Sequence, residues 1–262
     1  MTEETENART NNPADLRVTV IGCSGTYSSS DSSCSSYLLR TDSTTVLLDA
    51  GPGSSIELQK HVDLAEIDAI IVSHEHPDHW TELPSLYHAY RFGLGRPHVP
   101  VYGTAGTRTL LDGAVSEATA YTFDWTTIDE TSVLEVGDMT FTFSITDHPV
   151  ETLAIRAEAG GRSIAYSADT GPNWSPERFE APIDVLIYEA SLRVDMEDLG
   201  IPHISGRQAG EKAAAAGVDR LVLTHVPPGE DHDERSSSAA VGFAGPIEIA
   251  APGRTFTPGS PR

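Results

Sequence analysis

Ile70 to Trp80 read IIVSHEHPDHW, and few stretches restrict a fold more. The apolar, β-branched start reads as a buried strand. It gives way after one serine to His74, Glu75, His76, Asp78 and His79. Ionisable side chains crowded behind a buried strand are costly unless something binds them. Alternate side chains at a strand end share a face, so His74 and His76 can reach one ion together. Asp78 and His79, on the turn into a helix expected to start near Trp80, point to a neighbouring position. Imidazole and carboxylate suit zinc or another first-row divalent ion. The same alternation sends Glu75 away, to solvent or to a hydrogen bond behind the ligands. A polar loop that happens to be rich in histidine is the competing explanation; four ligand-type residues in six positions at a strand terminus weigh against it.

The rest of the chain has to bring a partner set to that strand end. Short runs of strand character recur: LRVTVIG, SSYLLR, TTVLLDAG, AIIVS, VPVYG, MTFTFSITD, LAIRAEA, SIAYSAD, VLIYEAS, RLVLTHV and PIEIAAPG. Each is bounded by Gly, Pro, Asp or Ser. Helical patterns lie between some of them, in GSSIELQKHV, TELPSLYHAYRF, GTAGTRTLLDGAVSEA and SGRQAGEKAAAAG. The last has Ser205 as N-cap and Gly217 as stop. Strands outnumber helices, and the mixture predicts an α/β fold with sheets covered by outer helices. Three further polar residues each come directly after a β-type run: His148, Asp169 and His225. All could converge on one sheet edge with the cluster.

Composition narrows the partners. The 262 residues carry a formal net charge of −22, with Lys60 and Lys212 the only lysines against 39 acids. Such a surface repels polyanions, so a nucleic acid polymer is disfavoured as substrate. No apolar run approaches the ~18 residues of a membrane span. Residues 1–14 have no apolar signal core and read as a disordered polar tail, with one domain expected over 15–262. Cys23 and Cys34 are expected free and buried, and the chain cytoplasmic.

SHEHPDHW followed by His148, Asp169 and His225 resembles the metallo-β-lactamase fold superfamily of binuclear metallohydrolases. The resemblance extends through VTVIGCSGTYSSSDSSCSSYLL, LLDAGPG, YSADTGP, YEAS and LTHVPP, nearly the whole chain after the tail. It implies a four-layer αββα sandwich with two divalent ions at one edge, zinc by expectation, with manganese or iron accepted by the same ligands. His74, His76 and His148 would hold the first ion. Asp78, His79 and His225 would hold the second, and Asp169 would bridge. Paired ions bring the pKa of a bridging water towards ~7 and clamp the oxygens of a displacement. Asp78 would also orient or deprotonate that water.

A second constellation resembles the ribonuclease Z and phosphodiesterase branch. Glu189 ends VLIYE, and His203 stands before the SGRQAGEKAAAAG helix. In that branch such a histidine contacts the scissile phosphate and protonates the leaving oxygen, while a glutamate orients it. The tRNA-processing members insert a long basic arm between the third metal histidine and the bridging aspartate. Here only residues 149–168 separate them, in one apparent hairpin. GCSGT, SSCSSYLLR, YSADTG, EAS, HISGRQAG and LTHVPP are similar to actinobacterial atypical class II cyclic nucleotide phosphodiesterases. That resemblance implies hydrolysis of a 3′,5′-cyclic nucleotide, cAMP first, to the 5′-monophosphate. An RNA 3′-end endonuclease, or another hydrolase of the same fold, is the alternative. LYHAYRFGLGRPH offers Arg91 to a phosphate or ribose and aromatic rings to a base. The serine-rich loop after Gly22 is expected to line the site rim. Related enzymes are often dimers, and a homodimer is open here.

Overall fold

The computed structural model describes residues 16–116 and 118–259; the polar tail expected over 1–14 lies outside them. In strands where apolar residues run on without alternation, both faces are buried. β1 (Arg17–Gly22), β2 (Ser36–Arg40), β3 (Thr45–Leu48) and β4 (Ala69–Val72) are of this kind. β5 (Val99–Gly103) alternates, and β6 (Phe123–Thr127) is mostly open to solvent, as an edge strand should be. The second set begins with the exposed edge strand β7 (Val133–Val136) and continues through β8 (Met139–Ile145), β9 (Leu153–Ala159) and β10 (Arg162–Tyr166). It ends with β11 (Val185–Glu189), β12 (Arg220–Thr224) and β13 (Ile247–Ile249). A short β14 (Thr255–Phe256) returns to pair with β1.

These form two seven-stranded sheets among the described residues, ordered β14-β1-β2-β3-β4-β5-β6 and β13-β12-β11-β10-β9-β8-β7. Val18, Tyr37, Leu48 and Ile71 of the first meet Phe141, Ile155, Tyr166 and Ile187 of the second in one shared core. Outside the first sheet lie α1 (Ser54–Leu58), α2 (Pro77–Trp80), α3 (Leu83–His88) and α4 (Ala105–Ala114). Leu58, Trp80, Leu83 and Leu111 of these helices cover Ile21, Leu38, Leu47 and Ile70. Outside the second lie α5 (Gly206–Ala215) and α6 (His232–Ala239), whose Ala209, Ala213 and Ala239 cover Leu186, Tyr188 and Leu221. The architecture is the expected αββα sandwich.

Strand direction explains why distant residues meet. β10, β11 and β12 are parallel, and β8 runs the same way through the antiparallel β9. Their C-terminal ends therefore share one edge, which carries His148, Asp169, Glu189 and His225. Backbone bonds stitch that edge to the first sheet: Leu153 N–H to the Ser73 carbonyl (3.1 Å) and His225 N–H to the Cys23 carbonyl (3.0 Å).

Some local readings need correction. The helix expected near Trp80 begins at Pro77, whose ring suits a first helical position, and stops after one turn; Asp78 and His79 lie inside it. The strands β6, β7 and β14 and the polar helix α6 carry little apolar pattern, so periodicity does not reveal them. The α5 expectation holds in detail, with a Ser205–Gln208 capping box and Gly217 at φ 64° beyond the last turn. Cys23 and Cys34 are free and buried.

Candidate metal centre

The edge collects two overlapping ligand groups, with a third set of Glu189, His203 and His225 beside them. His74, His76, His148 and Asp169 form one, and Asp78, His79, Asp169 and His225 the other; within each group the ligand atoms lie within 4.8 Å of one another. Asp169 belongs to both. His76 Nδ1 and His148 Nε2 are 3.0 Å apart, and His225 Nε2 is 3.2 Å from both Asp78 Oδ2 and Asp169 Oδ1. All seven residues named from the sequence are thus brought together.

Do these residues fit divalent ions? A metal needs an imidazole lone pair, which requires the proton to sit on the other ring nitrogen. The hydrogen-bond network places it there. His79 Nδ1–H donates to Asp49 (2.7 Å) and His148 Nδ1–H to the Pro202 carbonyl (3.2 Å). His74 Nδ1 lies 3.0 Å from the Ser73 hydroxyl, whose own proton goes to Asp49, and His225 Nδ1 lies 2.9 Å from the Ser191 hydroxyl. The inward atoms His74 Nε2, His79 Nε2 and Asp169 Oδ1 are buried without any hydrogen-bond partner. Orphaned buried polar atoms of this kind are rare unless something absent from the chain satisfies them. Donor set and orphaned atoms both fit a divalent metal site.

Electrostatics agree. Burial, reinforced by the charge on His79, holds His74 well below the usual histidine range, in the neutral form a ligand requires. Burial likewise lowers His148, against the pull of Asp169. His79 is opposed by burial, but Asp169 and Asp49 outweigh it and push its pKa up. Burial opposes ionisation of Asp169 and Asp78, but the neighbouring His225 and His79 rings outweigh it and hold both carboxyls well below their ordinary range. Two buried carboxylates side by side call for compensating positive charge, and a divalent ion would supply it.

Beside these ligands Glu189 is fully buried. Its carboxylate accepts Thr170 N–H (2.6 Å) and the Ser191 hydroxyl (2.8 Å), and meets His203 Nδ1 at 2.9 and 3.1 Å. The His203 ring stacks 5.6 Å from His225 and stands 5.4 Å from His148. Burial would lower its pKa, but Glu189 overrides that and raises it to about 9. The pair named from the sequence is therefore formed, next to both ligand groups.

Other expectations fare differently. Arg91 lies with its guanidinium 5.8 Å and 4.8 Å from the ring centres of Phe92 and Tyr121, so the cation serves local aromatic packing. Tyr90 is fully buried in the outer core, and its ring cannot stack on a base. Arg96 donates to the Leu64 and Ala65 carbonyls. Glu75 stays out of both ligand groups and packs against the first turn of α4, where a Cβ on Gly106 would collide with its carboxylate. The serine-rich loop reaches the site rim, where Thr26 N–H donates to Asp78 (2.8 Å).

Asp49 and Ser191 went unassigned in the sequence. Asp49 is fully buried and accepts Ser73 N–H (2.7 Å), the Ser73 hydroxyl (2.9 Å), the Tyr166 hydroxyl (3.0 Å) and His79. It is the first polar residue after TVLL, the same signal that found His148, Asp169 and His225.

Residues 44–226 match the family described as "Beta-lactamase superfamily domain". The chain is 34% identical over 251 residues to "Uncharacterized protein Rv1339" of Mycobacterium tuberculosis, covering 92% of each. It is 30% identical to "Probable metallo-hydrolase YhfI" of Bacillus subtilis, covering 91% of this chain and 98% of that one. The crystal structure of YhfI superimposes with a TM-score of 0.85 at 28% identity, over 93% of this chain and 99% of the other. A ribonuclease Z of Mycobacterium bovis is 28% identical over 271 aligned residues, covering 89% and 95%.

Proposed function

The chain belongs to the β-lactamase superfamily, in its ribonuclease Z-like branch, and from that premise we propose that this metallo-hydrolase is a phosphodiesterase for a small cyclic phosphodiester. The substrate class is a 3′,5′-cyclic nucleotide, cAMP first, opened to the 5′-monophosphate. The observation that carries the reading is the Glu189–His203 pair beside the two ligand groups. The alkoxide that departs from phosphorus is a poor leaving group, and an imidazolium held by a buried carboxylate answers its need for a proton.

Two divalent ions, zinc by expectation, would be held by His74, His76 and His148 and by Asp78, His79 and His225, with Asp169 shared. Bound there, they would acidify a water and polarise the phosphoryl oxygens. Asp78, fixed by Thr26 N–H, can accept a proton or hydrogen bond from the attacking water. His203 keeps one proton on Nδ1, donated to Glu189, and presents its other N–H to the phosphoryl or departing oxygen. Charge of the opposite sign on that imidazole stabilises the negative charge developing there. Arg91 is retained only as a candidate contact for a remote part of the substrate.

The net charge of −22 and the short β9–β10 hairpin after His148 support a small substrate over RNA. Among the described residues no helix is long and apolar enough to cross a membrane, and we place the enzyme in the cytoplasm as one domain over 15–262. The test is a panel of cyclic nucleotides, bis(p-nitrophenyl) phosphate and pre-tRNA with added metal ions. Asp78→Ala should abolish turnover of every substrate. His203→Ala should lower kcat for the cyclic nucleotide far more than for the activated nitrophenyl ester. Cleavage of pre-tRNA with no turnover of cyclic nucleotides would overturn the assignment in favour of the endonuclease.

A further inference from the structure

The segment after β11 carries a hydroxyl that neither the ligand set nor the acid pair includes. Ser191 Oγ lies 2.8 Å from Glu189 Oε2, 2.9 Å from His225 Nδ1 and 3.0 Å from the His225 carbonyl. A hydroxyl has one proton to give. Glu189 Oε2 is fully buried and also meets His203 Nδ1 (3.1 Å) and Ile204 N–H (3.4 Å), but the Ser191 hydroxyl is its shortest contact, and a buried carboxylate oxygen is the strongest acceptor within reach of that proton. Ser191 Oγ is then left with lone pairs, and it can only accept from His225 Nδ1–H. The remaining nitrogen, Nε2, faces Asp78 and Asp169 as a lone pair.

The backbone that carries this hydroxyl is held from behind. Arg235 on α6 is fully buried and donates Nε–H to the Ala190 carbonyl (2.9 Å) and an Nη2–H to the Ser191 carbonyl (3.1 Å). Ala190 N–H bonds the Thr224 carbonyl (2.9 Å), and Leu192 N–H the Ile204 carbonyl (2.9 Å). The segment is tied to the end of the strand that leads into His225 and to the turn that carries His203.

We infer that Ser191 is a positioning residue that sets the His225 tautomer for the second ion and joins that ligand to the Glu189–His203 pair. One chain of hydrogen bonds runs from His225 through Ser191 to Glu189, where it meets the bond from His203. The inference rests on the two-ion reading of the site; none of its tests uses a substrate, so it can fail while the phosphodiesterase reading stands.

Zinc titration of the metal-stripped full-length chain against a chelating dye gives the first readout. Wild-type protein should bind two ions. Ser191→Ala should keep the first affinity and lose 10–100-fold in the second, the usual effect of removing a partner behind a metal ligand. Ser191→Thr, which restores the hydroxyl, should recover the second site. Unchanged second-site affinity in Ser191→Ala, or a folded Ser191→Thr as weak as the alanine variant, overturns the inference. Should Ser191→Ala not fold, wild-type protein loaded with cadmium decides. Nitrogen NMR is expected to show the His225 proton on Nδ1 and cadmium coupling on Nε2, and coupling through Nδ1 sinks the proposal.

Discussion

His203 concentrates the chemistry in a single ring. Burial argues for a neutral imidazole, Glu189 for a cation, and Glu189 wins with a pKa of about 9. A raised value means the proton is present below the pKa and lost as pH rises through it. Proton donation to a poor leaving group should therefore fail on the alkaline side. We expect kcat for the cyclic substrate to fall with an alkaline limb, and His203→Ala to erase that limb. Cations at His148 and His225, whose rings stand 5.4 and 5.6 Å away, will move the limb below about 9. A pH–kcat profile of the two proteins checks this, and an identical alkaline limb in both would remove His203 from proton donation. Of the catalytic candidates Glu189 shows locally, closing the apolar run VLIY, whereas Asp78 and His203 rest on the resemblance to known metallohydrolases. Asp49 gives the same local signal, but what it does depends on Tyr166, 117 positions away.

Among the elements, α2 shows how a single helical turn can carry two ligands. Pro77 starts it, Thr81 ends it, and its backbone packs directly on the turn after β3. Ala50 N–H bonds the His79 carbonyl (2.7 Å), and a Cβ on Gly51 would stand 2.1 Å from the Asp78 carbonyl oxygen. Neither backbone can give way without displacing Asp78 and His79. Gly51→Ala should therefore cost about 1–3 kcal/mol of stability, the usual range for overpacking. It should also release metal from the second ligand group. Chemical denaturation and metal content of the purified variant measure both; full metal content at wild-type stability would mean the turn is more yielding than its contacts imply. Reading the residues in order could not disclose this clash, because it lies between two turns that only the sheet brings together.

For the molecule as a whole, charge sets how substrate arrives. With a net charge of −22, the protein repels an anionic substrate at long range, and salt screens that repulsion within about a Debye length. KM for a cyclic nucleotide should fall as sodium chloride is raised from about 10 to about 200 mM, where a polyphosphate-gripping protein would lose affinity steeply. Steady-state kinetics across that range distinguish the two. The amino-acid order sufficed for the layered α/β architecture and for the His74–His79 cluster, because strand alternation, strand ends and helix caps are local properties written in neighbouring residues. The seven-residue candidate ligand set and the Glu189–His203 pair came from resemblance to known metallohydrolases. The order gave no sign that core packing would take up the Tyr90 ring, or that the Arg91 guanidinium would lie beside Phe92 and Tyr121. The roles of Asp49, Ser191 and Arg235 came from the folded arrangement alone. A buried hydrogen bond is selected by the distance between atoms in space, and the chain sets that distance only once both sheets have closed on their common core.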